Sequence, residues 1–161
     1  MKNKKELTTP ETIEEGLTSP HEIAFLIRST RHSKHRILLE LIYNLGLSIE
    51  EATCIRLNEL DLISGIIQVG ERFLKLPKHL NNLIKFHLKH NQHKIFLLET
   101  NHGPLREEAA EKIIQTLSLR YLGRPLSAPD MQSFSQNFYF PVFHEQNIPF
   151  QSTSPLPLLV S

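Results

Sequence analysis

The sequence predicts an α+β fold, mostly helical, with a small antiparallel sheet. Three observations predict it. Apolar residues recur at helical spacing in five separated segments. One stretch between them, from Ile63 to Leu76, changes to a short β-branched pattern folded about Gly70-Glu71. Residues that start or stop helices fall between the segments.

In chain order, residues 1–16 are rich in Lys, Glu and Thr and carry no apolar period, so they are expected to form a flexible arm. Ser19 followed by Glu22 has the spacing of a capping box, with Pro20 at the first helical position, and Ile23, Leu26 and Ile27 continue that helix. A second helix is expected from Ser33 to Asn44, with Leu38, Leu41, Ile42 and Leu45 on one face and Gly46 as its stop. Ser48 and Glu51 form another capping box, opening a third helix expected to reach about Leu57. Cys54 falls in its apolar pattern and is expected to be a buried thiol.

The strands Ile63–Val69 and Arg72–Leu76 flank Gly70-Glu71 as a hairpin. Pro77 opens a helix carrying Leu80, Leu83, Ile84 and Leu88. Lys94–Leu98 reads as a third short strand, and 101–104 as a turn. Arg106–Leu119 reads as a helix with Ala109, Ile113, Ile114 and Leu117 as its stripe. Residues 127–136 read as irregular, and Phe138–Phe143 as an apolar cluster broken by Pro141. The tail 151–161 carries two prolines and no period, so it is expected to be unfolded or draped.

The chain has 161 residues, 40% of them hydrophobic, 22% charged, with a formal net charge of +1. That length supports one packed core without disulfides. A single cysteine and an apolar-poor N-terminus fit a cytoplasmic protein, and no run is long enough to span a membrane. A protein that held DNA by overall charge would be more basic, so any DNA contact must come from a local cluster. Such clusters exist: Arg28, Arg31, Lys34, His35 and Arg36 crowd one helix junction, and Lys75, Lys78, His79, Lys85, Lys89 and Lys94 follow the hairpin. The bland alternative is that these charges only keep the surface soluble.

His87, His90 and His93 sit near a helix end, and the spacing of three places His87 and His90 on neighbouring turns, which could hold a metal. No Cys or carboxylate completes a ligand set, and groups of this kind suit a helix C-terminus, so neither a metal nor any other cofactor is expected.

The order of elements, with Leu17-Thr18 to Glu22-Ile23, His35–Leu47, Arg56–Leu62, Gly65–Val69, Leu74–Pro77, Ile95–Leu97, Gly103–Leu105 and Lys112–Ile114, resembles the catalytic domain of the tyrosine recombinase (phage-integrase) family, Xer-like, over about residues 17–150. The resemblance implies a domain that sits on DNA. It also implies a catalytic set: a tyrosine that attacks a phosphodiester, with two arginines, a lysine and two histidine-type groups that stabilise charge and protonate the leaving oxygen.

That set does not carry over. The first arginine belongs after Gly46-Leu47, where Ser48 stands, and Ser48 reads as a helix N-cap. The lysine belongs in the hairpin turn, here Gly70-Glu71. The His-x-x-Arg box falls near Ala128–Phe134, with Gln132 at the arginine and Pro129 or Asp130 at the histidine. Tyr139 precedes the place of the nucleophile, and Phe143–Phe150 echoes the next helix. The family's N-terminal DNA-clamping domain has no counterpart in the arm.

The expectation is a non-catalytic DNA-binding remnant or accessory protein. Weak, non-specific phosphate contacts are expected from Arg31, Lys34, His35, Arg36, Arg72, Lys75, Lys78 and Arg106. A protein-interaction or orphan structural domain with no DNA role stands as the alternative, as does a decayed recombinase with no present role.

Overall fold

The computed structural model describes residues 18–93 and 95–135. The arm, the aromatic cluster with Tyr139, the Phe143–Phe150 echo and the tail lie outside the described residues, as does Lys94.

Helix α1 spans Pro20–Ser29. Ser19 caps it, its Oγ accepting from Glu22 N at 3.2 Å. The box is only half made, because the Glu22 carboxylate turns away to ion-pair with Arg124. That guanidinium is the main cause that holds the carboxyl below its ordinary range.

Helix α2, Ser33–Leu45, is the centre of the molecule. Ile37, Leu38, Leu39, Glu40, Leu41, Ile42, Tyr43 and Leu45 are all buried, more than one face can account for. A helix buried this far round must be covered on several sides, and α2 packs against α1, α3, α4 and α5. Gly46 ends it in the left-handed region, at φ 70°, a conformation that glycine adopts without steric cost.

Helix α3 is shorter than its apolar pattern implies, Ile49–Thr53. Cys54 therefore falls past the helix end and is exposed, while Ile55 takes the core position. A 3-10 turn, Leu57–Glu59, leads into β1, Leu60–Asp61. Strands β2, Ile66–Val69, and β3, Arg72–Lys75, form the expected hairpin, with Val69 opposite Arg72 across a two-residue turn. β1 adds to the other edge of β2, so the sheet order is β1-β2-β3, all antiparallel. Its inner face is carried by Ile67, Val69 and Leu74.

Helix α4, Lys78–His90, runs antiparallel to α2: Ser33 at the start of α2 meets His87 near the end of α4, and Glu40 meets His79 in its first turn. The segment read as a third strand makes a single bridge instead. Phe96 pairs with Arg56 through Leu57 N donating to Ile95 O and Leu97 N to Ile55 O. The regular pairing comes later, between β4, Glu99–Thr100, and β5, Gly103–Pro104. The Glu99 carboxylate accepts from Ile95 N and Phe96 N and turns the chain before a longer ladder can form.

Helix α5 spans Glu107–Leu122, with Ala110, Ile114, Leu117 and Ser118 buried. Ala110, not Ala109, faces the core. Residues 128–135, read as irregular, are helical and form α6. Ser127 and Asp130 open it by exchanging backbone and side-chain bonds, and Ala128 and Met131 bury against the core. No helix among the described residues is long and apolar enough to cross a membrane.

Candidate nucleic-acid interface

Ser48 and Gln132 are 84 positions apart in sequence, and the fold brings both to the turn between α2 and α3. Gln132 Nε2 donates to Gly46 O at 3.2 Å. A Cβ built on Gly46 would lie 3.4 Å from Ser135 Oγ, so α6 sits directly on this turn. Ser48 forms a complete capping box: its Oγ accepts from Glu51 N at 3.1 Å, and Glu51 Oε1 accepts from Ser48 N at 3.0 Å. The second Glu51 oxygen ion-pairs with Arg72 Nη2 at 2.6 Å across from the hairpin.

This corner holds a hydroxyl, a neutral amide, one carboxylate and one guanidinium, and the two charges cancel. Stabilising the charge that builds on a reacting phosphate needs unpaired donors preorganised around it. Here Gln132 Nε2 and Arg72 Nη2 are each engaged with an oxygen of the protein itself. Arg72 is engaged with Glu51 rather than standing free beside the turn.

The opposite end of α2 differs. Arg31 is exposed, and Lys34, His35 and Arg36 are half-buried in the first turn of α2. Arg36 Nε lies 3.6 Å from Glu40 Oε2. Glu40 is buried and also meets His79 Nε2 at 2.8 Å and the Asn44 amide. Lys75 and Lys78 are exposed beside His79, at the end of β3 and the start of α4. Because α4 runs antiparallel to α2, the start of α2 with Arg31 and Lys34 meets the end of α4, whereas Lys75 and Lys78 flank the start of α4, and Glu40 ties Arg36 to His79 across the joint. Among the described residues, Arg31, Lys34, Lys75 and Lys78 form no ion pair. Arg106 is exposed at the N-cap of α5, with no hydrogen bond or ion pair linking it to that joint.

Two imidazoles, His35 and His87, are held neutral. Burial, then the charges of His32 and Lys34, lowers His35 to about 4. Burial, then His93, Lys34 and His32, lowers His87 to about 4. His87 is almost fully buried rather than solvated at a helix end.

Two participants escape a reading of sequence alone. Glu40 sits in the run Leu38-Leu39-Glu40-Leu41-Ile42, and a charged residue among core positions four after Arg36 is the one signal that marks it. Glu51 reads as a cap, but its second oxygen is committed to Arg72 by the tertiary fold.

No family model matches the sequence, and no curated protein matches it. Solved structures do match. XerA recombinase superposes with a TM-score of 0.65 at 15% identity, over 75% of this chain and 49% of that one. The fold is tyrosine-recombinase-like. The integrase from mycobacterium phage Brujita matches with a TM-score of 0.61 at 18% identity, over 76% of this chain and 44% of that chain. XerH site-specific recombinase, bound to its difH substrate in a pre-cleavage complex, matches with a TM-score of 0.61 at 15% identity, over 80% of this chain and 43% of that one. The chain spans about half or less of the length of these recombinase-like structures.

Proposed function

We propose that this chain is a non-catalytic DNA-binding domain of recombinase-like fold, holding duplex DNA through phosphate contacts without reading its sequence. The observation that carries the reading is the α2–α3 corner. The positions expected to hold two catalytic arginines converge there, as Ser48 and Gln132, and the remaining charges close on each other as Glu51–Arg72. Architecture suited to a phosphate is kept while its chemistry is gone. Arg31, Lys34, Lys75 and Lys78, which form no ion pair among the described residues, offer cations in its place, and the likeness to a recombinase bound to its substrate supports DNA as the partner. In this reading the protein is a pseudoenzyme, an accessory or regulator of a mobile element, acting in the cytoplasm.

Fluorescence anisotropy with duplex DNA across salt tests it. Four free cations, Arg31, Lys34, Lys75 and Lys78, predict that log affinity falls with log salt at a slope of roughly −3 to −4, about −0.9 per phosphate. Replacing all four with Ala flattens the slope while the fold stays intact, since none of the four is fully buried or ion-paired. No binding at about 50 mM salt, where screening is mild, sinks the reading. It would leave a protein-interaction domain, for which exposed Ile63, Phe73 and Phe86 offer apolar contact points.

A further inference from the structure

We propose that His87 and His93 form a two-histidine site for a borderline divalent transition-metal ion, of the Zn²⁺ or Cu²⁺ type, at the joint between the end of α4 and the start of α2. Helical spacing pairs His87 with His90, but the structure pairs it with His93. The two Nε2 atoms lie 3.1 Å apart. Two nitrogens at about 2.0–2.1 Å from a tetrahedral zinc span roughly 3.3 Å. The rings stand at 65° to each other with centroids 4.7 Å apart.

The partners of the outer nitrogens settle which atoms are available. His93 Nδ1 lies 3.2 Å from Asn91 O. A carbonyl only accepts, so Nδ1 carries the proton and Nε2 of neutral His93 presents a lone pair. In the metal-free pair, His87 Nε2 must therefore donate to His93 Nε2, and Ser33 Oγ donates to His87 Nδ1 at 2.7 Å. A proton now occupies the position between the two Nε2 atoms. When a metal takes that position, the His87 proton moves to Nδ1 and is donated to Ser33 Oγ, since a hydroxyl serves in either role. The Asn91 amide, 3.3 Å from His87 Nδ1, keeps its better bond to His87 O at 2.9 Å. Both rings then donate their outer N–H to an oxygen, the arrangement that orients metal-ligating histidines.

Imidazole pairs suit Zn, Cu and Ni and not Mg or Ca, which need oxygen ligands. No group of three His, Cys, Asp or Glu among the described residues could hold a metal, so solvent fills the remaining positions. The site does not rest on the DNA reading. A bound ion would link the end of α4 to the segment after it and, through Ser33, to the start of α2, and so raise the melting temperature by mass action.

Calorimetric titration of the full chain, stripped of metal, with Zn²⁺ tests this, together with electron paramagnetic resonance of the Cu²⁺ form. The expected result is one ion per chain, with hyperfine coupling from two imidazole nitrogens. His93→Ala should weaken uptake at least about tenfold, the loss already typical of an outer partner. His79→Ala and His102→Ala should leave it unchanged. His93 is only half-buried, so its substitution leaves the core intact, and His93→Gln provides a second variant of similar shape. Absence of uptake by the wild-type chain, or uptake by His93→Ala and His93→Gln equal to wild type, overturns the site.

Discussion

The two ends of α2 face different problems. At its C-terminal end, Gly46, Ser48, Glu51, Arg72 and Gln132 satisfy one another, and no charge is left over. Around its first turn, Arg31 and Lys34 form no ion pair among the described residues, and burial keeps His35 and His87 uncharged. One end is a closed joint; the other leaves cations unpaired beside two uncharged histidines. A corner can therefore be fully formed with no net charge, because cap and turn geometry depend on hydrogen bonds and not on net charge.

Three changes would break or sharpen that contrast. The largest effect is expected from Gly46→Ala at the closed end. Gly46 lies at φ 70°, and a Cβ there would meet Ser135 Oγ at 3.4 Å, an ordinary contact, so the cost lies in the backbone conformation. The left-handed conformation alone costs a non-glycine residue about 1–2 kcal/mol. Thermal unfolding should show a fall of several degrees, roughly 2–4 °C for each kcal/mol in a domain this size. An unchanged midpoint would mean that α6 does not hold this turn.

The next effect belongs to the other end. His35 titrates near 6.5 when unfolded and is lowered to about 4 in the fold. Between those values the unfolded chain binds more protons, so stability falls as pH drops from about 6.5 to about 4. Discounted for partial exposure, the loss attributable to His35 is on the order of 1 kcal/mol. Denaturant midpoints measured across that window should decline more gently in His35→Gln. Equal slopes in both proteins would place the acid sensitivity elsewhere.

The smallest effect tests whether the closed end can be opened. Glu51→Gln removes the carboxylate that holds Arg72, so DNA affinity should rise a few-fold and the salt slope steepen by up to about 0.9, one phosphate. Arg72→Ala in the otherwise unaltered chain should leave DNA binding nearly unchanged, because its guanidinium is already paired. A clear loss of affinity on Arg72→Ala would mean that the Glu51 pair opens on DNA.

Local chemistry made much of this legible. The Ser48–Glu51 box, the Gly46 stop and the Gly70-Glu71 hairpin follow from side-chain and backbone preferences within a few residues, and each appears where its residues place it. The recombinase-like order of elements was readable for the same reason. Departures occur where a distant partner intervenes. Glu22 leaves its cap for Arg124, 102 positions away, because a guanidinium offers a stronger bond than a backbone amide. Residues 127–136 lack a visible period, yet α6 forms because Ala128 and Met131 find core to bury against. Cys54 has an apolar neighbourhood in sequence but is exposed, since α3 ends one residue before it.

Sequence by itself determined that the fold is mostly helical with one hairpin at Gly70-Glu71, where α1 and α2 begin, that Gly46 stops α2, and that Ser48 and Gln132 carry no charge. Only the tertiary structure decided that these two residues meet at one corner, that Glu51 and Glu40 are committed to Arg72 and Arg36, and that His87 faces His93 rather than His90. Helix periods and caps are set within one or two turns of chain, whereas ion pairs and imidazole partners depend on which surfaces are pressed together once the core is buried.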